Sequence, residues 1–161
     1  MTTTISGSTG VNQITDDAIT DAKLPAGSVL QVVEASDSTH QTTSAAAWID
    51  TNLSVAITPS STASKVHIHF SVNSVYFAAV GTGCSFRILR DSTSLYTPSL
   101  GHAIYTSYLG AYYHYADIAV DSPATTSSVT YKIQVRSHNS NAVQFGATQF
   151  KNTLILMEIA G

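Results

Sequence analysis

Hydrophobic and polar residues alternate along most of this chain with a period of two. In "KVHIHFSV" Val66, Ile68, Phe70 and Val72 share one face, opposite Lys65, His67, His69 and Ser71. In "SVTYKIQVRS" Val129, Tyr131, Ile133 and Val135 oppose Lys132, Gln134 and Arg136. Successive side chains of a strand point to opposite sides of its sheet, so this pattern predicts half-buried strands. Further strands are expected in "SVLQVVEA", across Leu53, Val55 and Ile57, across Phe86 and Ile88, and in "ADIAVDSP" and "AVQFGATQF". Turn-forming residues separate them, at Pro59 to Ser64, Gly81 to Gly83, Asp91 to Ser94 and His138 to Asn141. The last strand, "TLILMEIAG", departs from the pattern. Leu154 and Leu156 point one way, Ile155, Met157 and Ile159 the other, and only Glu158 breaks the apolar run. A strand apolar on both faces needs cover on both. It lies either inside a packed β-protein or beneath another copy of the chain.

No segment after residue 30 carries a helical period. About eight to ten short strands with regular turns describe an all-β fold, an antiparallel β-sandwich or jelly roll. Residues 1–24 are different. "MTTTISGSTG" is too polar to fold alone, and "ITDDA" followed by "ITDAKL" spaces Ile14, Ile19 and Leu24 five apart, matching neither a helix nor a strand face. Two helical turns or an extended arm both fit. Pro25 and Gly27 in "LPAG" mark the boundary, so the division is an N-terminal arm at 1–24 and a β-domain at 25–161.

Composition narrows the picture. Charged residues are 11% of the chain against about 25% in ordinary globular proteins, while Ser and Thr make up roughly a quarter. Such surfaces suit a rigid extracellular or virion protein. Net charge is −3 and the basic residues are scattered, so no nucleic-acid surface is expected. Cys84 is the single cysteine and reads as a small apolar residue. No signal peptide or membrane-spanning run is visible, and neither membrane insertion nor a cofactor is expected.

Four segments in order, "AKLPAGSVLQVV" (Ala22 to Val33), "LSVAITPSSTASKVHIHFSV" (Leu53 to Val72), "VTYKIQVRS" (Val129 to Ser137) and "LILMEIAG", resemble a family of tailed-bacteriophage virion proteins. These are tail-fibre or fibre-tip domains of marine and cyanobacterial phages. The resemblance covers most of residues 22–161, and "TISGSTGVNQITDDAITDAKL" is similar to the linking repeats that precede such heads. It implies a homotrimeric head located on the virion, with a TNF-like jelly roll whose C-terminal strand lies near the three-fold axis. Ile155, Met157 and Ile159 then form the trimer interface. The arm is too short for a fibre shaft, so Ile14, Ile19 and Leu24 are expected to anchor the head to other virion proteins. A fibre tip or knob contacting a host-surface glycan or protein receptor is the leading expectation. A capsid or tail decoration or joining protein is the alternative, and a glycan depolymerase a further one.

Candidate chemistry is sparse. Tyr105, Tyr108, Tyr112, Tyr113 and Tyr115 cluster, and Tyr offers a flat ring for a sugar face and a hydroxyl for hydrogen bonding. The same properties suit packing between subunits. Tyr112, His114 and Ala116 fall on one strand face, Tyr113, Tyr115 and Asp117 on the other. His67 and His69 have the i, i+2 spacing of paired metal ligands, with no third ligand identifiable. Glu34, Asp50, Asp91, Asp117 and Asp121 are separated and mostly beside turns, and no nucleophile elbow or phosphate loop is present. The expectation is a non-enzymatic protein.

Overall fold

The computed structural model describes residues 24–96, 98 and 103–161, and every regular element among them is a β-strand. In chain order these are β1 (Val29–Asp37), β2 (Gln41–Thr43), β3 (Ile49–Ile57), β4 (Lys65–Phe77), β5 (Thr82–Arg90) and β6 (Thr93–Ser94). There follow β7 (Ile104–Thr106), β8 (Tyr112–Asp121), β9 (Val129–His138), β10 (Val143–Phe145) and β11 (Asn152–Ile159).

All pairings are antiparallel and form two sheets. The first runs β1-β11-β4-β8, with the short β2 and β10 continuing the lines of β1 and β11. The second runs β3-β9-β5, with β6 and β7 along the far edge of β5. With β2, β6 and β10 set aside, the remaining strands in chain order give sheets 1-8-3-6 and 2-7-4-5, the strand order of a jelly roll. The expected antiparallel sandwich is therefore the fold.

The period-two pattern explains the core. Val66, Ile68, Phe70 and Val72 of β4 face Phe86 and Ile88 of β5 and Tyr131, Ile133 and Val135 of β9, all buried. Leu154 and Leu156 complete this layer from β11. The ring of Tyr115 stacks on Phe86 at 5.3 Å, and Phe145 meets the same ring edge-on at 6.2 Å. Each such side chain contributes roughly 1.5–3 kcal/mol by leaving water. Cys84 lies among them, and burial pushes its thiol pKa up to about 12, so it serves as apolar filling.

Carboxylates tie the two sheets together along β8. Asp117 accepts hydrogen bonds from the hydroxyls of Tyr96 and Tyr115, and Asp121 accepts from Arg90 and Tyr131 at 2.8 and 2.7 Å. Burial, and then the neighbouring carboxylates, raise the pKa of Tyr96 and Tyr131, which stay protonated as donors.

The two ends of the sandwich differ. At one end the chain enters β1: Gly27 N–H donates to the Ala160 carbonyl, and Val29 pairs with Ile159. Toward the other, β1 and β11 stop where Asp37 pairs with Asn152, and β2, β10 and the far part of β4 carry the sheet on from there. The length of β11 separates these two levels, about 25 Å at ~3.3 Å per residue.

Candidate functional site

An open cleft lies on the outer face of the first sheet, toward the end remote from chain entry. It holds about 540 Å³ and is lined by Asn73, Ser74, Tyr112, Tyr113, His114, Ala147, Gln149 and Phe150. Its origin is an interruption of two neighbouring strands at one level. In β4 the buried positions run 66, 68, 70, 72 and then 75 and 77, a slip that marks a bulge at Asn73 and Ser74. Ser74 takes a positive φ of 55° there. Alongside, the line of β10 and β11 is broken by residues 146–151, which swing out and carry Gln149 and Phe150.

Gly146 starts that excursion with φ 74°, and a Cβ at this position would meet the Thr39 carbonyl oxygen at 2.5 Å. Only glycine fits. The excursion is stitched to the bulge by Gly146 N–H to the Asn73 carbonyl (2.9 Å) and Asn73 N–H to Asn152 Oδ1 (2.8 Å). The Asn73 side chain spans the gap. Its Nδ2 donates to the Lys151 carbonyl (2.6 Å), which turns Oδ1 toward the Nδ1 of His114. Tyr112 is 73% exposed and packs beside Tyr76 at 5.3 Å between centroids; Phe150 is 54% exposed. No carboxylate, lysine or arginine lines the cleft.

The five clustered tyrosines divide as strand alternation requires. Tyr112 stands outward. Tyr113 turns inward against Phe77, its hydroxyl 2.6 Å from Thr106 Oγ1, while one edge still borders the cleft. Tyr115 turns inward and packs half-buried against the core, with its pKa raised to about 12 by burial and by Asp117. Tyr105 packs against His138, and Tyr108 is 77% exposed outside the cleft. The cleft residues that strand periodicity did not single out are Asn73, Ser74, Gln149 and Phe150.

His67 and His69 stand on the outer face of the first sheet, opposite Met157 and Ile155 of β11. No group of three metal-ligating side chains occurs among the described residues. Across that face runs the row Val32, Met157, His67, Val120, and beside it Glu34, Ile155, His69, Ile118. Val32, Ile118 and Val120 are exposed, and Ile155, Met157 and Ile159 are half-buried on the same face. Ile14 and Ile19 fall outside the described residues; Leu24 is half-buried where the chain enters.

Glu158 points inward, against the outward apolar row of its own strand. Fully buried, it accepts from Gln31 Nε2 (2.6 Å), from Ser60 N–H and Oγ (2.7 Å each) and from Ser64 Oγ (2.7 Å). Burial pushes its pKa up, yet the donors from Gln31, Ser64 and Ser60 outweigh that and hold it below the usual carboxylate range. It clasps the β3–β4 loop at the chain-entry end. The other carboxylates are also engaged or apart. Asp50 pairs with Lys132, Asp91 Oδ1 accepts from Thr130 N–H, and Glu34 stands on the outer face of β1.

No protein-family model matches the chain, and no curated protein matches it. Among solved structures the chain is similar to the infectious bursal disease virus VP2 subviral particle, with a TM-score of 0.49 and 11% sequence identity. That likeness covers 83% of this chain and 40% of the other.

Proposed function

We propose that this chain is a non-enzymatic structural protein of a virion, the head of a fibre tip or knob that touches the host-cell surface. The observation that carries this reading is polarity. The chain enters at one end of the jelly roll, and the open cleft with its two exposed aromatic rings lies toward the other, about 25 Å away. A head held at one end and working at the other has this layout. In the proposed assembly residues 1–24 attach the head to other virion proteins. Three copies meet through the chain-entry half of the outer face of the first sheet, with Ile155, Met157 and Ile159 at the seam and the cleft beyond it, since exposed apolar sheet surface of this kind favours burial.

The test is a comparison of full-length protein with protein lacking residues 1–24. Both are expected to adhere to host cells, and only the full chain to enter particles, as seen by labelled protein in electron microscopy. A truncated chain that still incorporates removes the arm from the account. Absence of adhesion by either form, with incorporation intact, replaces the host-contact reading with that of a decoration or joining protein.

A further inference from the structure

We infer that the cleft between the β4 bulge and the 146–151 excursion binds one ring of an uncharged saccharide, with Tyr112 and Phe150 as its apolar walls. This rests on the host-contact reading above and names the ligand class of the same end of the head.

Three properties of the cleft converge on that class. Its volume, about 540 Å³, is that of a small-ligand site and larger than one pyranose needs. Its walls combine exposed aromatic rings with amide, hydroxyl and imidazole groups. The apolar C–H face of a sugar packs on aromatic rings, and its hydroxyls need partners that both donate and accept. Gln149 and Ser74 present such groups, with no protein partner for either side chain among the described residues. The hydrogen bond between His114 Nδ1 and Asn73 Oδ1 leaves Nε2 of that ring to pair with a sugar hydroxyl, which can both donate and accept. Finally, the lining holds no carboxylate, lysine or arginine. A carboxylate, sulfate or phosphate would find no permanently charged partner there, so neutral sugars are favoured.

The site is also held in shape before any ligand arrives. The stitches from Gly146 to Asn73 and from Asn73 to Asn152 and Lys151 fix both lips. Binding therefore needs no loop to be ordered, which limits its entropic cost.

The experiment applies the full-length protein to immobilised neutral oligosaccharides built of glucose, galactose or N-acetylglucosamine. Matched sets carrying uronic acid or sulfate, and a panel of extended peptides, are included, and adhesion to host cells is scored in parallel. Neutral glycans are expected to bind, with affinity falling tenfold or more in Tyr112→Ala and Phe150→Ala and less in Gln149→Ala. Tyr108→Ala, equally exposed but outside the cleft, is expected to bind as wild type. Gln149 makes no protein hydrogen bond among the described residues, so its variant keeps the test open should an aromatic replacement disturb folding. The inference is overturned by preference for acidic glycans or peptides, by no glycan binding, or by binding that survives both aromatic replacements. Adhesion that persists without glycan binding removes the cleft and leaves the host-contact reading standing. Glycan binding without adhesion does the reverse.

Discussion

The outer faces of the two sheets are built on the same strand geometry and to opposite rules. On the second sheet, Lys132 and Gln134 of β9 both reach Asp50 of β3, at 2.8 and 2.6 Å, and Gln134 in turn accepts two bonds from Arg87 of β5. Arg87 and Arg136 each lie 4.5 Å from the centre of the Trp48 ring. That face is cross-linked within the chain, with Arg136 Nε buried there without a hydrogen-bond partner among the described residues. On the first sheet the corresponding positions are Val32, Met157, Val120, Ile155 and Ile118, with two histidines and Glu34 among them. No comparable network covers it among the described residues. The difference teaches that alternation alone makes a strand, while the chemistry of the outward set decides whether the face is finished within one chain.

The largest effect should come from charging the unfinished face. In the proposed trimer, Ile155→Asp or Met157→Asp buries an unpaired carboxylate at the seam and should convert the assembly wholly to monomer, read by native mass spectrometry. Because both side chains point outward, each monomer should keep the wild-type circular dichroism spectrum. An assembly of unchanged mass would show that this face is not the seam.

Next comes the inward carboxylate of the same strand. Glu158→Ala strands the N–H of Ser60 and the hydroxyls of Ser60 and Ser64, and should cost about 2–4 kcal/mol in denaturant unfolding. Its lowered pKa sets a pH dependence. Folding stabilises the charged form, so the contribution is complete above the ordinary carboxylate pKa of about 4.3 and fades as pH falls through the lower folded-state value. In Glu158→Gln that acid-side loss should be smaller than in wild type. An identical slope would mean that Glu158 is not the group responsible.

Strand periodicity made the sandwich legible: β4, β9 and both faces of β11 lie as alternation requires, with Leu154 and Leu156 inside. Glu158 is instructive, because its apparent break in an apolar run is a buried polar position with four donors around it. Nothing in a strand pattern tells which loop will deliver those donors. The cleft was half legible. Tyr112 stood out by composition, and the slip from Val72 to Val75 was present in the sequence as a loss of alternation. Gln149 and Phe150 were not legible, since they reach Tyr112 only because the chain leaves the β11 line at Gly146. That excursion depends on a pairing between strands far apart in sequence.

On the finished face a smaller loss is expected from Trp48→Ala, about 1 kcal/mol, since it removes the aromatic partner of Arg87 and Arg136. The assembly mass should not change. A shift to monomer would place the second sheet at the seam and reverse the contrast between the faces.

The smallest effect should be that of the ion pair on this face. Lys132 Nζ lies 2.8 Å from Asp50, whose side chain is 53% exposed. Hydrogen bonds from Lys132 and Gln134 lower the Asp50 pKa, but water and salt screen a pair this open. A double-mutant cycle of Asp50→Ala and Lys132→Ala should therefore return a coupling below about 1 kcal/mol that shrinks further in 1 M salt. Gln134 stays bonded to Arg87 in both single variants, so the network loosens at one end and does not collapse. A coupling well above that bound and insensitive to salt would mean that the pair is covered, and that the second sheet also carries a partner.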